Sequence, residues 1–171
     1  MKRIRLTQNK YAIVDDDLFD SLSTKKWSAG RHKSIFYAIR SEKGKNLSMH
    51  RVIMGLKMGD KRLVDHIDGN GLNNQINNLR YCNHSQNLYN GRKTNNIKSS
   101  KYKGVTKKTL KNRTPYWLVR ISVGGKDKYV GVSGDEETAA GMYNDAAKLY
   151  HKEFALLNVL SECKEVVKKY I

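Results

Sequence analysis

One proline and two cysteines are all that this 171-residue chain holds of those two residue types. Cys82 and Cys163 are far apart and make no Cys-x-x-Cys pair. That argues against a disulfide framework and against a structural zinc held by paired thiolates. Both read as small buried side chains or idle thiols. Long hydrophobic runs are missing too: nothing approaches the roughly 18 apolar residues that a membrane-spanning helix needs. The start, Met1-Lys2-Arg3-Ile4-Arg5-Leu6, is basic, but no apolar segment stands behind it as in a secretory signal. A soluble intracellular protein with no membrane partner is expected.

Negative charge is absent where positive charge is dense. No acidic residue lies between Asp68 and Asp127, whereas Arg80 to Lys126 carries 12 Lys and Arg. Over the whole chain 33 basic residues face 16 acidic ones, a formal charge of +17, with a pI near 9.9. A solvated basic surface would explain solubility alone. An acid-free run of this length fits a polyanionic partner better, and basic patches are the electrostatic footprint of nucleic acid.

At this length the chain holds one ordinary domain or two small ones. Residues 1–49 alternate short apolar runs with Gly- and Lys-rich turns. Strands are expected at Tyr11–Val14, Lys25–Trp27 and Ser34–Arg40. Asp15-Asp16-Asp17 reads as helix N-terminal charge before Leu18–Leu22, because consecutive residues cannot all face one ion. Ser48 is a plausible N-cap for a helix from Met49 to Leu56, whose Met49, Val52, Ile53 and Leu56 form a core stripe. His50 lies off that stripe. It supports a neighbouring element, approaches a ligand, or is merely satisfied by hydrogen bonds.

Val64 to Arg80 carries the chemistry. Asp65 sets a carboxylate beside the His66 imidazole, Gly69-Asn70-Gly71 can turn the chain through positive φ, and asparagines then lead to a helix over Asn83–Tyr89. The outline is ββα. A carboxylate holds a hard cation through oxygen, and a neutral imidazole takes a proton from water near pH 7. One hairpin can therefore present a metal and a base to the same phosphate, the minimum for metal-assisted phosphodiester hydrolysis.

Asp65-His66, Asn78 in Asn-Asn-Leu-Arg, and Asn87 after Ser85-Gln86 resemble the HNH endonuclease motif of phage and intron-encoded homing endonucleases. Met49-His50-Arg51-Val52-Ile53 looks like the His-Arg helix such enzymes carry before it. The resemblance implies that Asp65 and Asn87 ligate one Mg2+ (or Mn2+), that His66 is the general base, and that Asn78 holds the hairpin in shape. His50 and His84 are possible supporting residues, and a surface position is the blander reading of His84. The resemblance also implies the cytoplasm of a prokaryotic or phage-infected host.

Residues 91–101 are polar, basic and aperiodic. They read as a linker able to order along a phosphate backbone through Arg92 and Lys93. Beyond it come Tyr102-Lys103-Gly104-Val105, Trp117 to Ser122, a Gly124-Gly125 turn and Lys128-Tyr129-Val130-Gly131, a three-strand meander. Asp135-Glu136-Glu137 starts a helix through Tyr150, with Ala139, Ala140, Tyr143, Ala146, Ala147 and Tyr150 on its packing face. From Tyr102 to Leu156-Leu157-Asn158 these blocks resemble the plant ethylene-response-factor (APETALA-type) DNA-binding domain. That likeness implies a sheet laid in the major groove. Strand alternation sends Arg120 outward if Val119 and Ile121 face the helix; with the family's outward positions, Lys103, Lys108, Arg120 and Tyr129 would meet DNA. Thr106, Ser122 and Asp127 stand where the family often has arginine, so its recognition sequence does not transfer.

The expected fold is α+β: an N-terminal ββα-metal nuclease domain with short flanking strands (1–92), a basic linker (93–101), a three-stranded antiparallel sheet packed on one helix (102–159), and a tail (160–171). The expected activity is site-specific cleavage of double-stranded DNA, by a monomer or a dimer assembled on DNA. A DNA-binding regulator that does not cut is the alternative. An RNA-binding protein fits less well, because the aromatics sit mainly where packing explains them.

Overall fold

The computed structural model describes residues 1–42, 44–91, 99–111 and 114–161. Arg92, Lys93, Cys163 and the tail beyond 161 therefore lie outside the described residues. The chain divides into two compact units, Met1–Asn87 and Leu88–Ile171. Both are mixed α/β, built from small antiparallel sheets and few helices. Among the described residues no helix is long and apolar enough to cross a membrane.

The first unit opens with β1 (Lys2–Arg5) antiparallel to β2 (Tyr11–Val14). β1 is not legible in the sequence, because Lys2-Arg3-Ile4-Arg5 looks like a charged start. Its one apolar residue is Ile4, alternate with Leu6 just beyond the strand, and both are buried. Helix α1 (Asp16–Ser23) follows, with Asp16 and Asp17 in its first turn. The expected strand at Lys25–Trp27 does not form. The Trp27 ring is buried, and its Nε1–H donates to Leu22 O at 2.9 Å. That bond ties the residue to the end of α1, so the strand begins only at Ser28.

A meander of β3 (Ser28–His32), β4 (Ile35–Glu42) and β5 (Lys45–Ser48) comes next. Ile4, Leu6, Ala12, Val14, Leu22, Trp27, Ala29, Ala38 and Met49 form the core of this unit. Helix α2 (Met49–Ile53) is shorter than expected: the chain leaves it at Met54, and Gly55 takes φ +68°. Ser48 has the extended backbone of an N-cap, but its hydroxyl makes no cap bond. The stripe is still core, with Met49 and Leu56 buried. The hairpin of β6 (Leu63–His66) and β7 (Leu79–Cys82) and the helix α3 (His84–Tyr89) complete the ββα order.

In the second unit β8 (Val105–Lys108), β9 (Tyr116–Val123) and β10 (Lys126–Ser133) pair in the order β10-β9-β8. Gly124 and Gly125, both at positive φ, make the two-residue turn between β9 and β10. Helix α4 (Glu136–His151) starts at Asp135, whose carboxylate accepts from Thr138 N–H at 2.7 Å. Its Ala139, Ala140, Tyr143, Ala146 and Ala147 pack on Val105, Val119 and Ile121. Tyr150 departs from expectation. It is 41% exposed with the Lys128 ammonium over its ring, and the next residue, His151, is buried instead. Gly104 is required by space: a Cβ there would run into the Tyr143 ring, and its φ is +75°.

Candidate functional site

The loop joining β6 to β7 is a network of short side chains. Asp68 N–H donates to Asn78 Oδ1 at 3.1 Å, and Asn78 Nδ2 donates to Asp68 Oδ1 at 3.0 Å and to Asn73 O at 2.8 Å. Asn73 Nδ2 reaches Asp68 Oδ2 at 2.8 Å, and Asn70 N–H donates to Asp68 Oδ1 at the same distance. The asparagine-rich run is thus a hydrogen-bonded frame, with Asn78 buried at its centre. Gly69 supplies the expected positive φ, +69°. Gly71 is needed for another reason: a Cβ there would strike Phe36 O and the Tyr37 ring, so the loop lies hard against β4.

The loop is also tied to β2. Ile13 N–H donates to Leu72 O and Asn74 N–H to Ile13 O, both at 2.8 Å. Asp15 accepts from Ile76 N–H at 2.7 Å and from Gln75 Nε2 at 3.3 Å. Its carboxylate makes no cap bond to α1. Part of the aspartate triplet therefore anchors the loop rather than the helix.

His66, at the end of β6, is buried. Its Nε2 lies 3.4 Å from Oδ1 of Asn74, a residue with no exposed surface. The His50 ring stands edge-on to it at 4.9 Å, and the Tyr37 ring lies 5.9 Å from both. Burial lowers the pKa of His66, against the pull of Asn74, Asp68 and Asp65. His50 is pushed down to about 3, by burial first and then by the charges of His66 and Arg51. Both imidazoles are therefore neutral at pH 7. His50 Nδ1 is buried with no hydrogen-bond partner among the described residues.

Asp65 is buried one residue before, and cross-strand from it is Arg80. Arg80 Nε and Nη2 donate to the same Asp65 oxygen, Oδ2, at 3.0 and 2.8 Å. Asn87 is exposed on α3, as is His84 at its first position. The helix is started by a reciprocal pair: Gln86 N–H donates to Asn83 Oδ1, and Asn83 N–H to Gln86 Oε1. Among the described residues no three His, Cys, Asp or Glu form a metal-sized cluster. Asp65 and Asn87 carry oxygen donors, the kind that a hard cation takes. A soft metal does not fit. Burial pushes the half-buried Cys82 thiol up to about 11, so it stays protonated.

In the second unit Lys108, Arg120 and Tyr129 are exposed, and Arg120 pairs with Tyr129 across β9 and β10. Lys103 behaves otherwise. Its ammonium donates to Tyr89 O at 2.6 Å and Gly91 O at 2.7 Å, and burial lowers its pKa to about 8. This lysine clasps the main chain just after α3. Tyr89 is held further by its hydroxyl, which accepts from Gly124 N–H at 2.7 Å, and by stacking at 3.8 Å on His151.

Asp68, Asn74, Arg80, Asp15 and Tyr37 are parts of this site that the sequence alone does not single out. Only Arg80 had a legible signal: in a hairpin closing on Asp65, a basic residue opposite it in register is the natural partner of a buried carboxylate.

Residues 48–89 match the protein family described as HNH endonuclease. The chain is also 33% identical over 152 residues to an uncharacterized HNH endonuclease of Acanthamoeba polyphaga mimivirus, covering 86% of this chain and 74% of the viral protein. That coverage reaches into both units. No solved structure matches the chain.

Proposed function

The chain belongs to the HNH endonuclease family, and from that premise we propose that it is a site-specific, homing-endonuclease-like enzyme that hydrolyses double-stranded DNA at the β6–β7 hairpin. The observation that carries this reading is the buried Asp65-His66 pair, framed by Asn74 on one side and by Arg80 on the other.

The Asn74 contact supports Nδ1 of His66 as the basic nitrogen. Asn74 Nδ2 donates to Leu72 O at 3.1 Å, which turns Oδ1 towards His66. An amide oxygen can only accept, so His66 Nε2 carries the hydrogen and the lone pair sits on Nδ1. His66 Nδ1 then takes the proton of a water aligned with the scissile P–O bond, a contribution of roughly 10²–10⁴-fold. The water oxygen bonds to phosphorus as the bond to the 3′ oxygen breaks, and the 3′ oxygen leaves and takes a proton from solvent. Asn78 keeps the loop, and His66 with it, in the reacting orientation through Asp68 and Asn73. The family generally uses a divalent metal. Asp65 and Asn87 would hold Mg2+ or Mn2+, and when bound it would offset the charge that develops on the phosphate and the leaving oxygen.

The second unit is the DNA-binding part of this reading. A three-stranded antiparallel sheet with one helix behind it leaves one face open, and Lys108, Arg120 and Tyr129 are exposed there. The likeness of its blocks to the APETALA-type domain supports the same use. Arg92 and Lys93 would track the phosphate backbone. Lys103 is left out of the contact set because its ammonium is engaged by two carbonyls.

The Arg80 guanidinium on Asp65 favours one other reading, a DNA-binding regulator that does not cut. Supercoiled plasmid with Mg2+, against the same mixture with EDTA, separates the two. Open-circle or linear product only with metal supports the nuclease. Binding without cleavage under Mg2+ and Mn2+, on plasmid and on a duplex selected for tight binding, supports the regulator.

A further inference from the structure

Val105, Val119 and Ile121 face α4, so alternation sends their neighbours to the open side of the sheet. The register sorts those neighbours into cross-strand rows. Thr106, Leu118 and Val132 lie side by side across β8, β9 and β10; two residues further along β9, Arg120 lies beside Tyr129; two further still, Ser122 lies beside Asp127. Tyr129 and Val132 are three apart and would point to opposite sides of a regular strand. The register shift between Tyr129 and Gly131 brings both to the open face, where they are 66% and 49% exposed.

Each row has its own chemistry. The first presents a methyl, an isobutyl and an isopropyl group, with Leu118 half-buried between its neighbours. The second presents a guanidinium and a phenol, the third a carboxylate. In the major groove thymine alone offers a methyl group, guanine offers two acceptors that match a guanidinium, and cytosine offers an amino donor to a carboxylate. Rows two residues apart are separated by about 6.6 Å, close to two base-pair steps of about 3.4 Å. Exposed Lys108 stands on the same side of the sheet, in a segment whose acid-free sequence runs up to Asp127. Its charge suits a polyanion, and its apolar row suits methylated bases.

We propose that the open face of the β8–β9–β10 sheet reads thymine methyl groups with Thr106, Leu118 and Val132, and reads a guanine about two base pairs away with Arg120. This rests on the reading of the second unit as a duplex-binding sheet, and it goes further by naming the bases. It also excludes RNA as the preferred target. Uracil lacks the methyl, and the A-form major groove is too deep and narrow for side chains to read.

The test uses the full chain in EDTA, so that nothing is cut, on a pool of duplexes with a randomised centre. Enrichment of a site with thymine and guanine about two base pairs apart is expected. Replacing those thymines with deoxyuridine, which removes only the methyl, should weaken binding by about three- to fivefold per contacted base. Thr106→Ser combined with Leu118→Ala and Val132→Ala should bind the two duplexes alike, and Arg120→Met should lose about tenfold on the guanine-containing site. Equal affinity of the unaltered protein for thymine and deoxyuridine duplexes overturns the proposal, and needs no variant to fold. So does discrimination that survives in the triple variant, which would place the readout elsewhere. In both cases duplex binding itself stands. Failure to bind any duplex would instead overturn the DNA-binding reading along with this inference.

Discussion

Asp68 and Asn78 hold each other across the β6–β7 loop, the aspartate's N–H on the amide oxygen and the amide NH2 on the carboxylate, at 3.1 and 3.0 Å. Asp68 stands two residues from His66, so this exchange fixes where the hairpin turns after the base. Asn78→Ala strands the Asp68 N–H and the Asn73 carbonyl. We expect a loss of about 1–3 kcal/mol in denaturant unfolding, with a drop in cleavage rate that remains in conditions where the variant is fully folded. Unchanged stability would show that the exchange does not form.

Asp65 and Arg80 make the second constraint. Arg80→Met leaves a buried carboxylate without its cation, and should cost about 3–5 kcal/mol. Asp65→Leu with Arg80→Met together removes both charges and should recover most of that loss. Urea unfolding of the single and double variants measures the coupling. Additive losses would mean that the two side chains are solvated separately.

Acid should destabilise the first unit early. An unfolded histidine protonates near 6.5, whereas His50 resists down to about 3 and His66 is lowered as well. Between those limits the unfolded chain binds more protons, so stability is full above about pH 6.5 and falls with acid, at up to about 1.4 kcal/mol per pH unit for His50 alone. Asp68 contributes in the same direction only below 3.8. Burial raises its pKa, but the bonds from Asn73, Asn70 and Asn78 outweigh that and lower it. His50→Gln should flatten the slope of unfolding free energy between pH 6.5 and 4. An unaltered slope would place His50 in water.

Lys103→Ala separates a structural lysine from one that binds phosphate. Removing a phosphate-bound ammonium would reduce the slope of log binding constant against log salt by about 0.9. The clasp on Tyr89 and Gly91 predicts no change in that slope. It predicts faster amide exchange at the end of α3, read by hydrogen-exchange mass spectrometry.

What could be read in the sequence was whatever its local pattern encodes. Alternation gave the strands β4 and β9, paired glycines the β9–β10 turn, and acids followed by alanines the helix α4. The Asp65-His66 and Asn78 positions were legible because a motif fixes them at set distances along the chain. Contacts made across the fold were not legible. Trp27 looks like part of a strand until its indole N–H finds Leu22 O. Asn74 is one asparagine among many until β2 and Leu72 turn its amide towards His66. Lys103 looks like a DNA contact until it meets two carbonyls. Tyr150 and His151 exchange roles because a helical face is about 100° wide, and one residue at its edge decides which side chain is buried.

We propose His66 as the base of a DNA-cutting site. The most direct measurement compares the unaltered chain with His66→Ala on supercoiled plasmid in Mg2+, with DNA binding in EDTA measured on the same preparations. His66→Ala should bind DNA as tightly as the unaltered chain and cut it at least about 10²-fold more slowly. Equal rates of cleavage in the two proteins would contradict it, and would move the reacting centre away from the β6–β7 hairpin.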